Sequence, residues 1–269
     1  MKKTLFLLIL FLCGSATAQH SVTILHTNDT HSCIEPEKNG NAGALNRALL
    51  IEHLADSIGR ENILLFDGGD FSQGSLYYNN FKGSTEVELM NVMGYDACTI
   101  GNHEFDFGLE NMARLFKMAE FEVLCANYDF TGTVCEGLVK PYTIIERGGK
   151  RIGVFGLSPD PKGLVSQDNY AGVIFSSPIE AAKKCVSELK ARGCDAIVCL
   201  SHLGWKINNE YNDERLATET AGIDVIIGGH SHDYFEQPAT YVNSEGGNVI
   251  MQQMGKNGRY LGFVNLVFE

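Results

Sequence analysis

Five short apolar runs in this chain end alike, each in a turn that presents Asp, Asn or His. The turns are Asn28-Asp29-Thr30-His31, Gly68-Gly69-Asp70, Gly101-Asn102-His103-Glu104, Ser201-His202 and Gly228-Gly229-His230-Ser231-His232. A brief apolar run bounded by turn residues reads as a buried strand. Amphipathic stretches lie between the runs, and strands alternating with helices define an α/β protein. In α/β folds the ligand site gathers at the carboxyl ends of the strands. Five such ends can therefore converge on one place.

The remaining pattern fills in around these ends. Strands are predicted over Val22–His26, Asn62–Phe66, Ala97–Ile100, Glu122–Ala126, Asp195–Leu200, Ile223–Ile227 and Arg259–Phe268. Helices are predicted over Ala42–Ile58, with Leu45, Leu49 and Ile51 at helical spacing, and over Ser84–Met93, where Ser84 or Thr85 can cap and Gly94 stops. Further helices fall at Leu109–Ala119, Pro178–Arg192 and Asn209–Ala221. Lys140–Glu146 and Arg151–Leu157 flank Arg147-Gly148-Gly149-Lys150, a hairpin signal, and Thr240–Asn243 and Asn248–Gln252 flank Gly246-Gly247. Hairpins among crossovers imply mixed sheets. No repeat or Pro/Ser-rich linker divides the chain, so residues 19–269 read as one domain.

Residues 1–18 read differently. Lys2 and Lys3 precede an apolar run from Leu5 to Leu12, and Ala16-Thr17-Ala18 follows. This is the pattern of a cleaved signal peptide, which places the mature chain in the periplasm or outside the cell. The run is too short for a membrane span, and bulky Leu12 before Cys13 argues against a lipid anchor. The formal charge is −12, and −14 without Lys2 and Lys3. Such a field disfavours nucleic acid and anionic membranes as partners. It does not exclude a phosphate substrate where bound cations dominate locally.

The chemistry of the five turns points to metal ions. They offer Asp29, His31, Asp70, Asn102, His202, His230 and His232, with His103 set aside. Carboxylate, amide and imidazole suit a divalent ion, and the absence of a C-x-x-C pair removes support for a zinc–thiolate site. Seven ligands are too many for one tetrahedral ion but fit two ions sharing a carboxylate. Paired ions about 3.5–4 Å apart are a recurring device of phosphoester hydrolysis. Any one of these histidines alone is more commonly an ordinary hydrogen-bonded residue. The joint occurrence carries the argument. His20, His26 and His53 fall outside the turns and read as structural, as do the cysteines in apolar runs, Cys98, Cys125 and Cys199. Cys33, two residues after His31, reads as supporting rather than ligating; Cys135 could pair with Cys185 or Cys194.

With these residues in view, the chain resembles the calcineurin-like metallophosphoesterases. Phe71-Ser72-Gln73-Gly74-Ser75 and Asn102-His103-Glu104-Phe105-Asp106-Phe107-Gly108 narrow the resemblance to the branch of 5′-nucleotidases, UDP-sugar hydrolases and 2′,3′-cyclic phosphodiesterases. The resemblance implies a four-layer αββα sandwich with two mixed β-sheets. It implies that Asp29, His31, Asp70 and His232 hold one divalent ion and Asp70, Asn102, His202 and His230 the other, as Zn, Mn, Co or Fe. It makes His103, oriented by Asp106, the group that faces the phosphate, and a metal-activated water the attacking group. The implied substrate is a small phosphate monoester such as a nucleotide.

The branch carries a second, substrate-reading domain, whereas this sequence stops at Glu269. The resemblance thus leaves three expectations: a nucleotide phosphomonoesterase, a phosphodiesterase or nucleotide-sugar pyrophosphatase, or a catalytic subunit completed by a separately encoded domain. Tyr77, Tyr78, Phe81 and Trp205 lie near the turns and could touch a leaving group, though packing is the commoner role of such aromatics.

Overall fold

The computed structural model describes residues 20–268. The leader expected over residues 1–18 lies outside them. Among the described residues thirteen strands occur in chain order. They are β1 His20–Thr27, β2 Ile63–Asp67, β3 Ala97–Thr99, β4 Glu122–Leu124, β5 Tyr128–Asp129, β6 Tyr142–Arg147 and β7 Lys150–Leu157. The rest are β8 Ile174–Phe175, β9 Ala196–Ser201, β10 Val225–Ile227, β11 Ala239–Val242, β12 Asn248–Gln252 and β13 Gly262–Phe268. The helices are α1 Ala44–Ile58, α2 Leu76–Phe81, α3 Ser84–Met93, α4 Gly108–Met118, α5 Pro178–Ala191 and α6 Asp213–Glu219.

Two mixed sheets form the centre, in the orders β13-β1-β2-β3-β4 and β11-β12-β10-β9-β7-β6, and β5 and β8 make a small separate ribbon. Strands β1 to β4 run parallel, with β13 antiparallel on β1. Strands β7, β9, β10 and β12 run parallel, with the hairpins to β6 and β11 antiparallel at either edge.

Side-chain alternation along the strands sorts the core into three apolar layers. Val22, Ile24, Leu64 and Phe66 meet Ile152, Val154, Val198 and Val225 between the two sheets. Leu25, Ile63 and Leu65 turn the other way, under a helical layer that includes Ile51, Val87 and Leu115. Phe155, Ile197, Cys199 and Ile226 face Ala182, Val186, Leu189 and Leu216 of α5 and α6. Helix, sheet, sheet, helix is the four-layer sandwich expected.

Several local expectations shift. Leu45 and Leu49 do not enter the core; they are 71% and 56% exposed, while Ala44 and Ile51 are buried. Helix α3 is capped at Gly83 rather than at Ser84 or Thr85. The helix expected over Asn209–Ala221 is shorter, because the Asn212 side chain accepts from Arg215 N–H and starts it at Asp213. Helix α2, started by the Ser75 side chain, went unread. Its single turn and a half is too short to show a period. All seven cysteines from Cys33 to Cys199 are unpaired thiols, so Cys135 does not pair with Cys185 or Cys194. Among the described residues, no helix is long and apolar enough to cross a membrane.

Candidate metal centre

Parallel strands within each sheet bring their carboxyl ends to one edge, and both edges open on the same cleft. Asp29 and His31 follow β1, Asp70 follows β2, Asn102 and His103 follow β3, His202 follows β9, and His230 and His232 follow β10. Their donor atoms form three overlapping groups, each within 4.8 Å: Asp29 with His31 and His232, His31 with Asp70 and His103, and Asp70 with His202 and His230. Asp70 belongs to two of the three.

The backbone is bent to achieve this. Asp29, His31, Asp70, His230 and His232 all have positive φ, between 45° and 71°. The left-handed region costs a residue with a Cβ roughly 1–2 kcal/mol, and such strain gathers at functional sites. The neighbouring glycines are obligatory because a side chain has no room there, and Gly69 also has a φ of 91°. A Cβ on Gly101 would lie 2.1 Å from Asp70 Oδ1, and one on Gly69 would lie 2.7 Å from His202 Nδ1.

Hydrogen bonds aim the donors. His202 Nδ1 stands 2.7 Å from the Gly68 carbonyl oxygen. A carbonyl only accepts, so Nδ1 carries the proton and Nε2 is turned into the cleft. There Nε2 is 3.0 Å from Asp70 Oδ2 without the alignment of a hydrogen bond. Asn28 Nδ2 donates to Asp29 Oδ2 at 2.7 Å, and the His230 N–H donates to the same oxygen at 3.0 Å. His103 N–H donates to Asp70 Oδ1 at 2.8 Å. Three buried atoms of the cluster have no hydrogen-bond partner: His31 Nε2, Asn102 Oδ1 and His202 Nε2. Buried polar atoms are rarely left unsatisfied. Lone-pair donors orphaned beside two carboxylates fit divalent cations.

Electrostatics agrees. Burial lowers the His202 pKa, but Asp70 and Asp29 carry it up to about 10. Burial works against the Asp70 carboxylate, yet His202 and His31 hold it well below the usual range. Burial, and then the His202 charge, push His230 down to about 4. Asp70 and Asp29 thus favour positive charge at the Nε2 side of His202, while burial and the His202 charge keep His230 neutral, a setting that suits a divalent cation.

His103 stands apart from the expected ligands in one respect. Its Nδ1 lies 3.0 Å from Asp106 Oδ2, with both side chains partly open to solvent. Burial lowers the His103 pKa, but the bond to Asp106 and the charges of Asp70 and Asp106 outweigh it and raise the group above 6.5.

Three residues went unassigned in the sequence. Glu104 is buried, and its carboxylate accepts from the N–H groups of Gly101, Asp70 and Ser72 at 2.6, 3.0 and 3.3 Å and from Ser72 Oγ at 3.0 Å. Gln253 donates to the Gly229 carbonyl at 2.7 Å and accepts from Ser231 Oγ at 3.2 Å, steadying the turn that carries His230 and His232. Lys256 lines the cleft beside His31, His103 and His232. A signal for the last two was present: Val249-Ile250-Met251 is a sixth apolar run, and β12 is parallel to β10. Of the aromatics near the turns, Tyr78 and Trp205 serve packing, while Phe81 is 55% exposed. Tyr78 is buried with its hydroxyl donating to the His103 carbonyl, and Trp205 packs edge-on against Phe235. Tyr77 bonds Glu35, and Cys33 Sγ bonds the Glu35 carbonyl rather than joining a ligand group.

A four-layer α/β sandwich with a divalent-cation cleft at its strand ends defines a metal-dependent class of proteins. Residues 22–234 match the family model of the calcineurin-like phosphoesterases, and the chain belongs to that family. Among its relatives is a snake venom 5′-nucleotidase of Gloydius brevicauda, 31% identical over 94% of this chain and 46% of that protein. A solved 5′-nucleotidase precursor from Thermus thermophilus superposes with a TM-score of 0.84 at 34% identity, covering 93% of this chain and 52% of that one. An NAD nucleotidase from Haemophilus influenzae gives 0.82 at 27% identity, with 93% and 48% covered. The chain spans about half the length of these relatives.

Proposed function

We propose that residues 19–269 form the exported catalytic domain of a dinuclear-metal phosphoesterase that hydrolyses phosphate monoesters, nucleotides among them. Cleavage of the leader over residues 1–18 would place it in the periplasm or outside the cell. The observation that carries the reading is the set of orphaned donors His31 Nε2, Asn102 Oδ1 and His202 Nε2, gathered around Asp29 and Asp70 beside the His103–Asp106 pair. The relatives named 5′-nucleotidases supply the substrate class.

Asp29, His31, Asp70 and His232 would hold one ion, and Asp70, Asn102, His202 and His230 the other, with Asp70 shared. When bound, two such ions activate water and stabilise charge on phosphoryl oxygens. The protein's own part is acid–base and positional. Asp106 accepts from His103 Nδ1–H, which fixes the tautomer and favours the charged ring. The proton on His103 Nε2 then faces the cleft, where it steadies a phosphoryl oxygen or passes to the departing alkoxide.

The test is phosphate release by the chain from Gln19 onward, with AMP and an aryl phosphate as substrates, in Mn²⁺ or Zn²⁺ and in chelator. Metal-dependent turnover that collapses in His103→Ala is expected. A protein that binds two ions and releases phosphate from neither substrate refutes the reading for the chain alone, and adding a substrate-reading domain in trans then tests the split assembly.

A further inference from the structure

Lys256 occupies a position built to present it. Gly255 and Asn257 on either side both adopt positive φ, 67° and 65°. Glycine and asparagine are the residues that enter this region most readily. Two backbone bonds pin the turn to the metal loops: Gly255 N–H donates to the Asp233 carbonyl at 2.8 Å, and Asn257 N–H donates to the Asp29 carbonyl at 2.7 Å. One anchor adjoins His232 and the other belongs to an expected ligand. The turn is therefore fixed to the floor of the cleft while the Lys256 side chain remains exposed.

Among the described residues lining this cleft of about 520 Å³, Lys256 is the one with a permanent positive charge. No side chain among the described residues pairs with it. Its neighbour Arg259 is different, since Glu37 takes that guanidinium at 2.7 Å. An unpaired cation at the mouth of a cleft, in a chain of formal charge −12, has an anion to meet. Metal ions held on the floor would themselves favour the more highly charged phosphoester. A cation on the wall adds to that preference, because a monoester phosphoryl carries about two negative charges at neutral pH and a diester carries one.

Building on the phosphoesterase reading above, we propose that Lys256 grips the dianionic phosphoryl end of the substrate and selects phosphate monoesters over diesters. An ammonium on a flexible stem acts as a point charge toward phosphate. Its contact is made in the bound substrate as well as in the transition state, so its loss appears in KM rather than in kcat.

The experiment compares the metal-loaded wild-type chain with Lys256→Met and Lys256→Arg. Substrates are p-nitrophenyl phosphate and its bis-p-nitrophenyl diester, which share a leaving group. Inorganic phosphate binding is followed separately by calorimetry. The expected result is a KM for the monoester raised about tenfold in Lys256→Met, a diester KM changed less than twofold, phosphate binding weakened by about the monoester factor, and recovery in Lys256→Arg. Equal changes for monoester and diester, or none, would overturn the proposal. If the wild type cleaves neither compound nor AMP, the phosphoesterase reading fails for the chain alone and calorimetry still decides: phosphate affinity lost in Lys256→Met upholds the grip, and affinity retained removes it.

Discussion

The backbone N–H of Asp70 donates to the buried carboxylate of Glu104 at 3.0 Å. The same carboxylate takes the Gly101 N–H at 2.6 Å, so one side chain ties the turn after β2 to the turn after β3. Burial, and then repulsion from Asp70, push Glu104 up to about 7, against donors that favour its charged form. Glu104→Ala should leave these donors without a partner, at roughly 1–3 kcal/mol for each one unsatisfied. The turns that carry Asp70 and Asn102 would then lose their common anchor. Partners behind metal ligands are worth about 10–100-fold in affinity. Calorimetric titration with Zn²⁺ should show at least a tenfold loss for Glu104→Ala and a smaller one for Glu104→Gln. Unchanged affinity would mean the turns hold themselves.

Helix α1 offers a test of core against surface. Ala44, Ala48, Ile51 and Ala55 repeat at helical spacing and face the sheet, while Leu45 and Leu49 sit on the adjoining stripe and point outward. Ile51→Ala should cost about 2–5 kcal/mol, the range for truncating a buried aliphatic side chain. Leu49→Lys should stay within about 0.5 kcal/mol, as surface changes do. Urea denaturation of the two variants compares these directly. A large loss from Leu49→Lys would show that something covers this stripe in solution.

His26 gives the fold a pH dependence. It is fully buried on β1 with Nε2 3.0 Å from Gln252 Oε1, and its Nδ1 has no partner. Burial lowers its pKa from 6.5 to about 4, and the bond to Gln252 only partly opposes this. The folded state therefore binds this proton less well than the unfolded chain does. The corresponding stability is present above pH 6.5 and is lost as the pH falls toward 4. Between about pH 7 and pH 5 the loss amounts to roughly 2 kcal/mol. Denaturation in chelator at both pH values, for wild type and His26→Gln, isolates the contribution from metal release. The wild-type slope should exceed the variant slope by about that amount, and parallel slopes would place the proton elsewhere.

The strand ends were legible because each is local. An apolar run followed at once by Asp, Asn or His announces both the strand and the edge at which it ends. Much else was illegible for a definable reason. Glu104 acts on a residue 34 positions away, and no spacing within its own motif reveals that. On α1 two stripes share one period, and the small residues rather than the leucines allow close approach to the sheet. Period alone does not choose between them. Gln253 and Lys256 follow an apolar run like the others, but they are not residues that announce a metal ligand. Their part emerges only when β12 is seen to lie parallel beside β10.

On the proposed reading, the His103–Asp106 pair should decide the alkaline side of activity. A general acid works while protonated, so turnover falls as the pH rises through the His103 pKa. Although burial lowers that pKa, Asp106 is foremost among the groups that raise it above 6.5. Asp106→Asn keeps the size of the side chain and removes its charge. The alkaline limb of the kcat profile should therefore move to lower pH, while the acid limb, which other groups set, stays in place. Turnover at neutral pH should fall by about 10–100-fold, less than in His103→Ala, because the imidazole is still present but holds its proton less well. An alkaline limb that stays put while kcat falls would assign Asp106 to aiming the ring alone. A limb that stays put with kcat unchanged would remove His103 from proton transfer and leave it the role of steadying phosphoryl charge.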